Sequence, residues 1–306
     1  MRNPNTTLPT QDQDTPRGLF FATGAYFMWG FLPLYMKMLS HIPAAEVVAH
    51  RIIWSVPVAA LVLISLKRTQ DLRDALRNPR MMIMGCVTAA LISVNWGIYV
   101  YAIASGHALD AAIGYYINPL FSVFLAAVLL GERLSRAQMI AVGIAGVAVL
   151  VLVFDTDRTP WAAFGLMLSW GFYALAKKSL PIGPNQGFLL EVLILLLPAL
   201  GYTAYLATVG GAHFAVGSAR DTWLLVGCGI VTAVPLLFYA NGAKLLRLST
   251  IGVLQYIAPT MIFLTAVFIF GEPFGRARMI AFPLIWLALV IYTTSMVRQM
   301  RTARLA

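Results

Sequence analysis

Three ionisable side chains stand close together in "EVVAHRIIWS", residues 46–55, within a stretch that is otherwise apolar. Glu46 and His50 are four residues apart, so on a helix they share one face and could hydrogen-bond or exchange a proton. Arg51 lies about 100° further around the same helix. A charge inside a bilayer costs about 2.5 to 3.5 kcal/mol on insertion scales, so Arg51 should point into protein or water. We expect Glu46 and His50 to couple proton movement, and Arg51 to contact an anion or act as a gate.

A second polar group interrupts "AAIGYYINPLFSVFLAAVLLGE", residues 111–132. Tyr115, Asn118 and Ser122 recur at i, i+3 and i+7, which puts them on one stripe of a helix. Pro119 has no N–H to donate, so the helix should kink there and leave a carbonyl free. Polar backbone is tolerated at membrane depth only where protein or a wet cavity satisfies it. The pattern predicts a cavity-lining face; simple helix packing through Asn118 is the alternative.

Other apolar stretches carry comparable side chains. Gln255, Tyr256, Pro259 and Thr260 repeat the proline arrangement, so two kinks are expected to face one space. If the aromatic and hydrogen-bonding groups converge, the cavity suits a planar, moderately apolar solute or a cation. The candidate substrate-binding residues are Trp29, Arg51, Asn95, Trp96, Tyr99, Tyr115, Asn118, Trp170, Tyr173, Tyr239, Gln255 and Tyr256. The expected helix kinks are Pro119, Pro235 and Pro259.

The elements that position these residues must be membrane-spanning helices. Hydrophobic residues make up 60% of the chain and charged residues 11%, against roughly 25% charged in a soluble domain. The apolar residues fall into stretches of about 20, the length that crosses a hydrocarbon core as helix. Ten such stretches are predicted, at about 18–39, 44–66, 80–104, 109–130, 136–154, 160–178, 187–208, 221–243, 250–270 and 278–297. The fold class is therefore an all-α integral membrane protein.

The net charge of +10 is distributed as a membrane protein requires. With ten spans and a cytoplasmic N-terminus, the cytoplasmic segments hold sixteen Lys and Arg residues and the outer loops hold four. This positive-inside bias predicts that both termini are cytoplasmic, and it argues against nucleic acid as the partner. Residues 1–17 are expected to be a disordered cytoplasmic tail, and residues 298–306 a basic one.

The two halves of the sequence repeat each other. A shift of 140 positions aligns residues 116–141 with 256–281 and gives eleven identities in 26 positions without a gap. A shift of 141 aligns residues 29–43 with 170–184, including Trp29 with Trp170. Each unit contains five spans, an odd number, so the second must cross the membrane in the opposite sense. This is the inverted repeat of secondary transporters, whose site lies between the halves near the midplane.

These residues also resemble a known family, the RarD-type permeases of the EamA family in the drug/metabolite transporter superfamily. The resemblance covers nearly the whole chain apart from the tails. It implies two EamA-type repeats, at residues 18–155 and 156–297, in a ten-helix bacterial inner-membrane permease with a central cavity, of a group whose name is linked to chloramphenicol sensitivity. The stretches that carry it are "EVVAHRIIWS", "SVNWGIYVYAIASGHALDAAIGYYINPL", "LLGERLSRAQMIAV", "VTAVPLLFYANGAK", "LSTIGVLQYIAPT" and "IWLALVIY".

Several polar residues have structural interpretations. Glu132 and Glu272 each stand four residues before an arginine, so each is expected to pair with it and to support the start of the next helix. Glu191 is expected to have a surface or capping role. Glu46 has a structural alternative as well, an interaction with the positive N-terminal end of its own helix. The four histidines, His41, His50, His107 and His213, stand apart without metal-ligand spacing.

The sequence predicts a transporter and not an enzyme. It has no nucleotide-binding motif, and its two cysteines lie within apolar stretches, so no cofactor and no metal are expected. The expected function is secondary transport, and export in particular, of a small metabolite or amphipathic drug-like solute by alternating access. A passive facilitator or channel and a membrane-embedded lipid-modifying enzyme are the alternatives. The expected partners are the small-molecule substrate and the bilayer; a homodimer is left open.

Overall fold

A computed structural model of the chain describes residues 15–65, 70–130, 134–154, 160–179, 181–216, 218–243, 245–246 and 248–305. These residues form twelve α-helices and one π-helical segment, Thr265–Ile269. The α-helices are α1 (Pro16–Met38), α2 (Ala44–Ser65), α3 (Gln70–Arg77), α4 (Pro79–Ala104), α5 (Ala108–Leu130), α6 (Arg136–Val153), α7 (Trp161–Ser179), α8 (Pro184–Thr208), α9 (Ala219–Ala243), α10 (Leu248–Leu254), α11 (Ile257–Leu264) and α12 (Arg276–Leu305).

Polar caps mark where several of the long helices begin. The Thr15 side chain accepts from the N–H of Gly18, and the Asn78 side chain accepts from the N–H groups of Arg80 and Met81. Ser135 and Gln138 form a capping box at α6. Each cap satisfies N–H groups that the first turn of a helix leaves free, so the chain can enter an apolar medium without unpaired donors.

Eight helices in the described ranges are long and apolar enough to cross a membrane: α1, α2, α4, α5, α6, α8, α9 and α12. Their outward faces carry large apolar side chains that a soluble protein would bury, among them Leu61, Leu197 and Val290. An apolar surface on so many long helices is typical of helices that face hydrocarbon. The protein is therefore an all-α, multi-pass membrane protein, as its composition predicted.

All ten predicted stretches coincide with helical segments, although two details differ. α3 lies outside the ten stretches; it buries Leu72 and Ala75 and packs against α4 and α8. α12 continues to Leu305, through most of the segment expected to be a basic tail. Residues 1–14 of the expected N-terminal tail lie outside the described residues.

The proline-containing spans behave differently from one another. α5 runs through Pro119 and α9 through Pro235 as continuous helices. The ninth predicted span is instead interrupted at Gln255 and Tyr256, between α10 and α11. Pro259 then falls in the first turn of α11, where the missing N–H is not needed for an intrahelical bond.

The most extensive helix contacts join the first half of the sequence to the second. α2 packs against α8 and α9, α1 against α9 and α11, α5 against α7, and α6 against α12. α2 and α9 meet at their backbones, because a Cβ at Gly229 would collide with the main-chain carbonyl of Trp54. Helices this close leave no room for lipid or water between them.

Glu272 holds the N-terminus of α5 from a distant part of the chain. Its carboxylate accepts from the N–H of Ala108 at 2.7 Å and from the N–H of Leu109 at 2.9 Å. Gly271 lies in the left-handed region, with φ +66°, at the turn that precedes this carboxylate. The expected pairing of Glu272 with Arg276 was wrong, because free helix N–H groups offer two charge-assisted hydrogen bonds. Glu132, its counterpart in the first half, lies outside the described residues.

Glu272→Gln should lower the free energy of unfolding by about 1 to 3 kcal/mol, because the buried end of α5 loses a charge-assisted bond. Denaturant titration of the purified protein in detergent measures this loss. Arg276→Gln is the matched control and should leave stability within about 0.5 kcal/mol of the parent. Equal losses in both variants would contradict the assignment.

Candidate functional site

Arg51 is buried where α2, α4 and α9 meet. Its side chain is only 3% exposed. The Nε atom donates to Oγ1 of Thr232 at 3.0 Å, and the guanidinium carbon lies 4.9 Å from the centre of the Trp96 ring. Nη1 is buried and has no hydrogen-bond partner. One hydroxyl and one aromatic face therefore stabilise a full positive charge.

Two tyrosines and an asparagine adjoin this charge. The rings of Tyr99 and Tyr115 lie 5.9 Å apart, and both are electrostatic neighbours of Arg51. The Tyr115 hydroxyl donates to Oδ1 of Asn95 at 3.4 Å, whereas the buried Tyr99 hydroxyl is unpartnered. The Nδ2 atom of Asn95 donates to Oγ of Ser169 at 2.9 Å and so ties α4 to α7.

The contacts continue along α7 to an ion pair. Tyr115 and Trp170 pack edge to face at 6.5 Å, and Trp170 and Tyr173 lie 5.6 Å apart. The Tyr173 hydroxyl donates to Glu191 at 3.2 Å, and Lys177 pairs with the other oxygen of Glu191 at 2.5 Å. We call the connected set the central cluster; its members are Arg51, Asn95, Trp96, Tyr99, Tyr115, Ser169, Trp170, Tyr173, Lys177, Glu191 and Thr232.

The remaining aromatic candidates form two further groups. Trp29 and Tyr239 lie 5.7 Å apart, and each also contacts Tyr26. On another side, Tyr116 stacks on Tyr256 at 6.4 Å and hydrogen-bonds Thr260 at 2.6 Å. Within the part of the chain that the structure describes, no ring contact joins either group to the central cluster.

Asn118 and Gln255 occupy the two proline-containing spans. Asn118 is buried within the protein and does not face lipid, and its Oδ1 atom has no partner. Gln255 is half-buried at the break between α10 and α11. A buried, unsatisfied amide oxygen is costly, so Asn118 is a candidate for contact with a bound molecule.

Glu46 and His50 lie together at a cavity outside the central cluster, but they are not bonded to each other. Glu46, 1% exposed, accepts from the main-chain N–H of His213 and pairs with Nδ1 of the same residue, both at 2.7 Å. His50 Nδ1 accepts from the indole N–H of Trp54 at 3.2 Å, and Nε2 has no partner. A cavity of about 470 Å³ is lined by Glu46, His50, Trp54, Phe214 and neighbouring residues of α8.

Three of the four histidines gather at this end of the molecule. His41 pairs with Asp221 at 3.1 Å, and the rings of His41 and His213 are 6.4 Å apart. His41, His50 and His213 are thus closer in the fold than their separation in the sequence indicates, yet the described residues contain no group of three or more His, Cys, Asp or Glu side chains that could hold a metal ion. Only the path of the segment between α8 and α9 brings His213 beside Glu46, and nothing in its spacing indicates this contact.

Four members of the central cluster are not among the candidate substrate-binding residues from the sequence: Ser169, Lys177, Glu191 and Thr232. Glu191 was assigned a surface or capping role, yet its side chain is 1% exposed between Tyr173 and Lys177. Its position four residues inside the predicted span 187–208 was the available signal, because an acid within a span needs a partner. Ser169 was missed because a serine at a helix interface has no distinctive spacing.

Comparison with known proteins agrees with this architecture. Residues 16–154 match the EamA-like transporter family. Protein RarD of Streptomyces exfoliatus is 42% identical over 287 residues, which are 94% of this chain and 91% of the relative. The uncharacterized transporter YojE of Bacillus subtilis (strain 168) is 38% identical over 299 residues, with coverage of 96% and 99%.

A protein of known crystal structure has the same fold. The two share 19% sequence identity with a TM-score of 0.59, over 90% of this chain and 96% of the other. The similarity to RarD and YojE goes further than this likeness of fold, because it is at least 38% identity over at least 94% of the chain. The chain therefore belongs to the EamA-like transporter family.

Proposed function

We propose that the protein is a secondary transporter that moves a small metabolite or amphipathic drug-like solute, by export, through alternating access. The observation that carries this proposal is the central cluster. It leads from the buried charge of Arg51 to the ion pair of Lys177 and Glu191 along packed aromatic rings. Rings with a few hydrogen-bonding groups at membrane depth are the surface that a planar solute requires.

We further propose ten spans in two inverted repeats, residues 18–155 and 156–297. Helix packing supports the repeat, since related helices have related partners: α1 packs on α9 as α7 packs on α4, and α5 on α7 as α11 on α1. Equivalent aromatic residues also recur. Trp170 packs against Tyr115 of the central cluster, and its sequence counterpart Trp29 packs against Tyr239.

Contacts between helix ends support the alternation of direction. Glu46 meets His213, and Asp110 meets Arg278, and all four are expected on the outer side. At the expected cytoplasmic side, Thr15 bonds the carbonyl of Leu245. With the positive-inside bias and bacterial relatives, these contacts favour an inner-membrane protein with both termini in the cytoplasm.

Proton coupling is proposed to occur at Glu46 and His50, which lie at the expected outer end of the protein. The Glu46 carboxylate could bind a proton and lose its contact with Nδ1 of His213. His50 lines the same cavity and has an Nε2 atom without a hydrogen-bond partner. Breaking the Glu46 to His213 contact would release the segment between α8 and α9 from α2. Proton binding at Glu46 would thus be linked to opening of the outer side.

Purified protein in liposomes should show saturable flux and counterflow of a compound found by comparing the media of deletion and overproducing cells. Trp170→Ala should lower this flux at least about tenfold, because the ring contacts both Tyr115 and Tyr173. Trp161→Ala, on the same helix but outside the central cluster, is the matched control. Flux that does not saturate and shows no counterflow would indicate a channel and overturn the proposal.

Topology is tested with serine-to-cysteine variants at the two ends of α2, in a Cys86→Ser, Cys228→Ala background. Ser40→Cys, between α1 and α2, should react with an impermeant maleimide added to cells with a permeabilised outer membrane. Ser65→Cys should react only after lysis. The reverse pattern contradicts the proposed orientation.

Glu46→Gln should abolish acceleration of flux by a pH gradient, because the proton-binding carboxylate is gone, while counterflow persists. Flux into liposomes with and without an imposed gradient measures the difference. Asp221→Asn, which removes the other acid paired with a histidine at this end, should retain the acceleration. Loss of acceleration in both variants would refute a specific role for Glu46.

A further inference from the structure

The buried acids of the described residues all have partners of their own. Glu46 is held by His213, Asp110 by Arg278, Glu191 by Lys177 and Glu272 by two helix N–H groups. Arg51 is the buried arginine in this part of the chain, and no described carboxylate forms an ion pair with it. The positive charge at the centre is therefore uncompensated.

A buried charge without a counter-ion is expensive, and it persists where function requires it. Replacing Arg51 by an apolar residue would spare this cost, yet nothing in the packing of α2 demands a guanidinium at that position. Its free Nη1 atom is an N–H donor with no acceptor. The buried Tyr99 hydroxyl, also without a partner, is an electrostatic neighbour of the same guanidinium. Two buried donors, Nη1 of Arg51 and the Tyr99 hydroxyl, therefore have no acceptor, and one bound anion could serve both.

We propose that the missing counter-ion is the transported substrate, and that the substrate is an organic anion with a carboxylate bound by Arg51 and Tyr99. The two oxygens of a carboxylate can accept from Nη1 of Arg51 and from the Tyr99 hydroxyl, and the negative charge strengthens both bonds, whereas a primary amide has one acceptor oxygen and no charge. The rings of Tyr115 and Trp170 would accommodate a planar, apolar body next to the acid group. This inference rests on the proposed transport function.

The aromatic rings alone would also suit a cationic solute. The unpaired positive charge of Arg51 and the pairing of every buried acid among the described residues argue against one. A cation would meet the unpaired charge of Arg51, and Trp96 already presents a face to that guanidinium. Glu191, the acid of the central cluster, is occupied by Lys177. Because Nη1 has no contact with solvent in this conformation, an anion reaches it only when helices part, as alternating access requires.

The test compares three probes that share a naphthalene ring: naphthalene-2-carboxylate, naphthalene-2-carboxamide and 2-naphthylmethylammonium. The thermal unfolding midpoint of detergent-purified protein is measured with each, in a low-salt buffer that contains neither chloride nor any carboxylate. We expect the carboxylate to raise the midpoint and the other two to leave it unchanged. Arg51→Met should lose this response, and its carboxylate affinity should fall at least about tenfold. Arg276→Met, an exposed arginine outside the cluster, should retain the response.

Arg51→Met should also be at least as stable as the parent without a probe, because an unpaired buried charge is removed. If Arg51→Met does not fold, Arg51→Lys and Thr232→Val should each weaken the carboxylate response. Equal responses to carboxylate and ammonium, no response to any probe, or a carboxylate response that survives loss of Arg51 would overturn the proposal. A full response to chloride alone would show that the site binds an inorganic anion and would overturn the assignment of an organic one.

Binding and transport separate the two proposals. Carboxylate binding that depends on Arg51, without saturable flux, would reject the transport function and support the anion site alone. Saturable flux of a neutral or cationic solute that is unaffected by Arg51→Met would retain the transport function and reject the anion.

Discussion

A charged or hydrogen-bonding group cannot stay unpaired in hydrocarbon, and this constraint organises the whole structure. Glu272 reaches across the chain to hold the N-terminus of α5, Arg278 binds Asp110, and His213 covers Glu46. Each contact joins residues that are more than 160 positions apart in the sequence. The pairs that the membrane requires are thus also the contacts that bring the two halves together.

Within this framework the central cluster is an exception to complete pairing. Nη1 of Arg51 and the hydroxyl of Tyr99 are both buried and unsatisfied. By contrast, each buried acid of the described chain has partners, at 2.5 to 3.2 Å. Unsatisfied atoms also occur at other buried residues, among them His50, Ser55, Asn118, Asn185 and Tyr256. What distinguishes the central cluster is that its unsatisfied atoms are donors that accompany a buried charge without a counter-ion.

The sequence predicts the spans well because a run of 20 apolar residues has few alternatives in a bilayer. It also identifies Arg51, Asn95 and Tyr115 as candidates, since polar residues at that depth are costly. It fails where a contact depends on the path of a short segment. His213 reaches Glu46 through the turn after α8, and Glu272 binds α5 instead of its neighbour Arg276. The sequence also does not predict that the helix is interrupted at Gln255, whereas α5 continues through Pro119. The two spans have prolines at equivalent positions, Pro119 and Pro259.

The packing of the two halves affects how the protein is made. The main partners of α1, α2, α5 and α6 are α7, α8, α9, α11 and α12, all from the second half. Helices synthesised first must therefore enter the bilayer with their inner faces, including Arg51, exposed to lipid or to the insertion machinery. Assembly can be completed only after residue 276 has left the ribosome, because α12 closes the structure against α6. The duplicated unit visible in the sequence is thus not a unit of folding.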